Sequence, residues 1–204
     1  MKEKYIEDLK EIKDIMNRSS RFISLSGLSG ISAGVIALVG AYLAYKFVFE
    51  RNDYLIFDRV VLSTDRLMDL ILIATTTLIV SFGSVIYLTT KETRKKNQKI
   101  WDQQTQRILI NLSIPLFTGG IICLLFLSQG YLGVIPPFTL IFYGLALVNV
   151  SKYTLNEIRS LGLLEILLGL IALQFISFGL VIWSAGFGLL HIIYGFIIKA
   201  KYKS

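Results

Sequence analysis

Ile108 to Ser151 reads ILINLSIPLFTGGIICLLFLSQGYLGVIPPFTLIFYGLALVNVS, 44 residues without a charged side chain. At ~1.5 Å of rise per residue, one helix of that length would measure roughly 66 Å, about twice the ~30 Å hydrocarbon thickness of a bilayer. The stretch therefore has to fold back once, and Gly130 with the Pro136-Pro137 pair marks the place. Two spans in one uncharged run set the fold class as a helical membrane protein.

The flanking chain has the same character. Phe22 to Tyr45 gives 24 uncharged residues and Leu70 to Thr90 gives 21, each long enough to cross. Ser160 to Ile198, 39 residues interrupted only by Glu165, needs a reversal near 175–179. The expectation is an all-α polytopic bundle of six transmembrane helices arranged as three hairpins, with spans near 22–47, 68–90, 108–129, 133–151, 158–175 and 179–199. The whole-chain composition agrees: 54% hydrophobic against 17% charged residues leaves too little polar material for the surface of a soluble domain.

Charge gives the orientation. With both termini in the cytoplasm, that side receives 17 of the 21 Lys and Arg residues, while Arg51, Arg59 and Arg66 fall outside with Lys46 at the edge. The positive-inside rule favours that arrangement. The net charge of +7 is thus a topology signal, and no nucleic-acid partner is expected. Because 21 charge-rich residues precede the first apolar run, that run reads as a retained helix and not a cleavable signal.

Residues 1–21 carry Tyr5, Ile6, Leu9, Ile12, Ile15 and Met16 at helical spacing. An amphipathic cytoplasmic helix follows. It either lies in the headgroup layer or, through residues 1–17, docks a protein partner or a second copy. The cytoplasmic basic cluster Lys91, Arg94, Lys95, Lys96 and Lys99 should meet anionic lipid headgroups. Between the first two spans an acidic loop, residues 50–69, holds the apolar run Tyr54 to Phe57, expected to dip into the outer interface.

An internal similarity underlies the hairpin count. Gly27 to Leu38 matches Gly162 to Leu173 at seven of twelve positions, including Gly27/Gly162, Ile31/Ile166 and Gly34/Gly169. Leu116, Gly119 and Ile121 give a weaker third version. On the returning helices Phe82-Gly83, Tyr143-Gly144 and Tyr194-Gly195 each precede a lysine by the same interval. Ser26, Gly30 and Gly34 form a small-residue ladder that lets a neighbouring backbone approach the first helix.

Few polar side chains lie inside the apolar runs. Glu165 is six residues past Arg159, about 9 Å deep, and His191 is eight before Lys199, about 12 Å deep from the same side. They are expected to pair across adjacent antiparallel helices, with Tyr194 or a serine completing the set. Asn111 and Asn149 pair by the same construction nearer the cytoplasm, where Pro115 withholds the amide that would bond to the Asn111 carbonyl. The polar layer reads in two ways: a proton-responsive or ligand-binding site, or interhelical glue. Cys123, the one cysteine, reads as a packing residue.

Catalytic signatures are missing from the sequence. It has one histidine and no HExxH, GxSxG or phosphate-loop motif, so nothing calls for a metal or a cofactor. At SSRFISLSGLSGISAGVIAL (19–38) and GFGLLHIIYGFIIKAKY (186–202) the chain resembles a group of uncharacterised bacterial six-span inner-membrane proteins, with a more distant likeness in layout to small acid-resistance membrane proteins. The resemblance implies a multi-pass protein of the bacterial inner membrane and brings no catalytic residues. The expected function is a non-enzymatic sensor, regulator or accessory subunit. The alternatives are a small-solute or proton transporter using the polar layer and, third, an enzyme of membrane lipids.

Overall fold

The computed structural model describes residues 26–49, 56–95, 101 and 103–202. Residues 1–25, and with them the amphipathic helix and its docking role, lie outside the described residues, as do Tyr54, Leu55, Lys96 and Lys99. Among the described residues the chain is all-helical. Six long helices form: α1 (Gly27–Ala44, continued by a π turn at Tyr45–Phe49), α2 (Thr64–Lys95), α3 (Gln103–Ser128), α4 (Ile135–Val150), α5 (Asn156–Gln174) and α6 (179–202). The last combines Gly179–Trp183, a π-helical stretch Ser184–Leu190 and His191–Tyr202.

Five of these helices are long and apolar enough to cross a membrane, which makes the chain a multi-pass membrane protein. The exception is α5, whose 19 residues include Glu157, Arg159 and Glu165. Its polar load is not scattered at random. Glu157 and Arg159 sit in the first turn and Glu165 is turned wholly into the protein.

The reversals follow from local chemistry. Gly130 adopts φ +85°, a left-handed conformation open to glycine at little cost, and Pro136-Pro137 opens α4 in the first turn, where no amide partner is needed. Between α5 and α6 the chain turns through a short 3-10 segment, Ile176–Phe178. The segment before α2 lies against the α3–α4 turn. Ile56 rests its backbone on Gly133, Val60 N–H donates to the Gly130 carbonyl at 2.8 Å, and Arg59 donates to the Tyr131 hydroxyl at 3.2 Å. That loop strap is pinned across the α3–α4 turn because a bare glycine backbone there offers room and a carbonyl that accepts Val60 as well as Leu132.

The helices pack in the order α2, α1, α6, α5, α4, α3. Consecutive in sequence, α2 and α3 stand at the two ends and do not pack along one another. Two contacts in the row are backbone to backbone. A Cβ on Gly27 would lie 2.5 Å from the Gly195 carbonyl oxygen, and one on Gly195 would lie 2.7 Å from the Gly27 oxygen. Between α5 and α4, Gly162 and Gly144 repeat this at 2.7 and 2.6 Å. Close packing of this kind stands in for the hydrophobic drive that lipid cannot supply.

The ladder expected on α1 faces α6: Gly30 meets Gly195 and the His191 carbonyl, and Gly34 meets the Gly188 carbonyl. Ser26 is buried, and its carbonyl accepts the Ser29 hydroxyl at 2.6 Å. Gly119 of α3 behaves differently from Gly34 and Gly169, since it turns onto Phe142 of its own hairpin.

Candidate functional site

Three helices bring Glu165, His191 and Tyr143 together. Glu165, in the middle of α5, is 0% exposed, and its Oε1 stands 3.4 Å from His191 Nδ1 on α6. The pairing inferred from matched depths is therefore a contact in the folded protein. The ring that completes it is Tyr143 of α4, whose hydroxyl is 2.8 Å from His191 Nε2. Tyr194, expected in that place, instead packs against the apolar cluster that contains Leu147, Leu155, Leu161 and Ile198. It is about one turn past His191 on the same helix, whereas Tyr143 reaches the imidazole from α4.

The π turn Ser184–Leu190 sets the geometry on α6. Its wider winding leaves the Gly186 carbonyl 3.1 Å from His191 Nδ1. Gly186 has a second task. A Cβ there would fall 2.5 Å from Glu165 Oε2 and 2.6 Å from Leu140 Cδ2, so the glycine leaves the carboxyl group where it is. An aromatic stack encloses the site: Phe187 lies 5.9 Å from the His191 ring, 4.9 Å from Tyr143 and 4.8 Å from Trp183. Trp183 in turn donates to Thr139 at 3.1 Å.

The hydrogen bonding is unequal. With a proton on Nδ1 the imidazole donates to Gly186 and accepts from Tyr143 through Nε2, so the histidine is satisfied in its neutral form. Glu165 is not. Neither of its buried oxygens has a hydrogen-bond partner. A lone carboxylate in such surroundings is costly, so the pair holds one shared proton, which rising pH removes and which is carried either as a protonated carboxyl beside neutral imidazole or as an imidazolium beside a carboxylate. Passing between these states places a donor on both ring nitrogens and turns the Tyr143 hydroxyl from donor to acceptor.

The asparagine pair is a separate feature. Asn149 Nδ2 donates to the Asn111 backbone oxygen at 2.9 Å, the acceptor that Pro115 leaves free, while Asn111 Nδ2 donates to Arg107 O at 2.8 Å. Asn149 lies six residues beyond Tyr143, about 9 Å along α4, so the two polar features form two levels and not one layer. A groove of about 430 Å³ opens beside it between α3 and α4, walled by Pro115, Thr118, Phe142, Leu145, Asn149 and Lys152; Glu165 is not in its wall.

Lys91, Arg94 and Lys95 are exposed on the last turns of α2, with Lys91 6.0 Å over the Tyr87 ring. Sequence reading missed the link between α5 and α6: Glu157 accepts from Lys201 at 2.5 Å and from Tyr202 at 3.2 Å. Burial pushes the Glu157 carboxyl up, but these bonds, its own backbone N–H and the lysine charge together hold it below its ordinary value. Charge spacing along a helix finds partners a turn apart and is blind to partners 44 residues apart. Among the described residues no group of three His, Cys, Asp or Glu side chains is placed to hold a metal. No family model, curated protein or solved structure matches this chain.

Proposed function

We propose that the protein is a non-enzymatic, proton-responsive membrane sensor or regulator whose switch is the Glu165, His191 and Tyr143 cluster. In this reading all six helices cross the bacterial inner membrane as three like hairpins, with both ends in the cytoplasm. Contacts with anionic headgroups at Lys91, Arg94 and Lys95, and with a partner at residues 1–17, carry the signal. One observation carries the proposal: a fully buried carboxyl group 3.4 Å from a histidine with no hydrogen bond to either oxygen. Interhelical glue would satisfy its polar groups, as Asn149 does. An unsatisfied ionisable group within a membrane bundle is instead the mark of a site that changes state. The titratable groups facing Glu165 are Tyr143 from α4 and His191 from α6.

Trp183 reports on the site through Phe187. In a Trp101→Phe background, reconstituted protein titrated over roughly pH 5 to 8, the range natural to histidine, should show a sigmoid change in Trp183 emission. Glu165→Gln and His191→Gln should each abolish it. A flat wild-type titration, or a transition that survives Glu165→Gln, overturns the proposal. The π turn beside His191 favours a second reading, proton or small-solute transport, since broken helix geometry at mid-membrane recurs in transporters. Flux in proteoliposomes that depends on Glu165 would select it.

A further inference from the structure

The α1–α6 contact and the α5–α4 contact are the same contact made twice. Gly27, Ile31 and Gly34 stand against Gly195, Ile192 and Gly188 as Gly162, Ile166 and Gly169 stand against Gly144, Ile141 and Pro137. Each joins the outgoing helix of one hairpin to the returning helix of another. Three hairpins offer three such contacts, and this chain fills two. The remaining pair is α3 with α2.

The register on α3 follows from contacts inside the hairpins. Gly40 rests on Thr77 between α1 and α2, and Phe126 stacks on Phe138 at 5.3 Å between α3 and α4. Aligning these pairs puts Gly83 level with Gly144, as the sequence has it, and puts Gly120, not Gly119, level with Gly34. Ser113 then takes the place of Gly27, and Phe117 that of Ile31. Both faces are bare. Nothing lies within 4 Å of where a Cβ on Gly83 or on Gly120 would be, and Val80 and Phe117 are 49% and 72% exposed. Glycine within a helix costs stability and is kept where a backbone must come close, yet in this chain nothing comes close to either.

We propose that the Val80 and Gly83 face of α2 in one copy docks on the Ser113, Phe117 and Gly120 face of α3 in a second copy, making between chains a counterpart of the contact made twice within each, wider because Ser113 carries the Cβ that Gly27 and Gly162 lack. The second copy is the occupant because α2 is fastened to α1 by Ser32 and Ser84, 3.2 Å apart, and α3 to α4 by Asn149, at opposite ends of the row. Each copy carries both halves, so a twofold axis along the membrane normal makes two such contacts and keeps the helices antiparallel. The pairing does not depend on the proton reading.

The test uses the full chain with Cys123→Ser, in membranes. Gly83→Cys and Ser113→Cys are placed on separately tagged copies and oxidised. A disulfide joining the two tags is expected, because the two positions face each other as Gly195 and Gly27 do, at the wider spacing that a Cβ on Ser113 sets. Ser32→Cys with Ser84→Cys should link within one chain and serves as the folding control. Absence of the intertag link while the control forms, or a link confined to a single doubly substituted chain, overturns the proposal. Wild-type protein in lipid nanodiscs needs no substitution. Two copies per particle with a shift to one on Gly83→Leu is the expected result, and a single copy of wild type refutes it.

Discussion

Gly144→Ala is the substitution that tests the close helix contacts most directly. The added methyl would lie 2.6 Å from the Gly162 carbonyl oxygen and 2.8 Å from the Ile166 backbone nitrogen, both on a rigid helix that cannot turn a side chain aside. Ordinary contact begins near 3.4 Å, so α4 and α5 must separate by several tenths of an ångström along the line where they are most closely packed. Overpacking of this kind costs about 1–3 kcal/mol, and the better helix propensity of alanine returns about 1 kcal/mol. Gly83→Ala has the same propensity gain and no clash, with nothing within 4 Å. The difference between the two variants cancels the propensity contribution and leaves the clash, about 1–3 kcal/mol, or at least a fivefold change in the unfolding equilibrium. Gly195→Ala, 2.7 Å from the Gly27 oxygen, should fall with Gly144→Ala. The assay is reversible unfolding in mixed micelles with increasing denaturing detergent, at dilutions where the protein is a single copy. Equal stabilities for Gly144→Ala and Gly83→Ala would refute the packing argument.

Three further outcomes are expected. Tyr143→Phe removes the hydroxyl 2.8 Å from His191 and should cost about 1 kcal/mol in the same unfolding assay, while moving the midpoint of the Trp183 fluorescence titration; an unmoved midpoint would place Tyr143 outside the proton network. Asn149→Leu should cost about 0.6–1 kcal/mol, and in a Pro115→Ala background, where a helix amide again serves the Asn111 carbonyl, the cost should shrink; strict additivity in that double-mutant cycle would dismiss the free-carbonyl account. Glu157 is held below its ordinary value when folded, so its contribution is present above the unfolded carboxyl pKa and fades as pH falls through the lower folded value; Glu157→Gln should therefore lower stability at neutral pH and make no difference in strong acid, and a gap that persists in acid would rule this out. Lys201 is largely solvated, which makes the effect sensitive to salt.

Sequence alone was enough for the helical, multi-pass class of the chain. The 44-residue run from Ile108 requires a helical hairpin, because an unpaired backbone is not tolerated there, and Gly130 and Pro136 locate its turn by their own dihedral limits. Depth along a helix is also a linear quantity, so matched spacing brought Glu165 level with His191 and Asn149 level with Asn111 before any fold was known. Direction around the helix axis is different. Whether Tyr143 or Tyr194 reaches the imidazole, and whether Gly119 or Gly120 meets Phe142 of α4, turns on about 100° of rotation per residue, which only the packing of a neighbouring helix settles. The same holds for Gly186, whose role exists only because a π turn on α6 delivers it to the carboxyl group of α5. Hydropathy prescribes which segments enter the membrane. Tertiary structure decides which faces meet there, because lipid treats every apolar face alike and close contact between backbones does not.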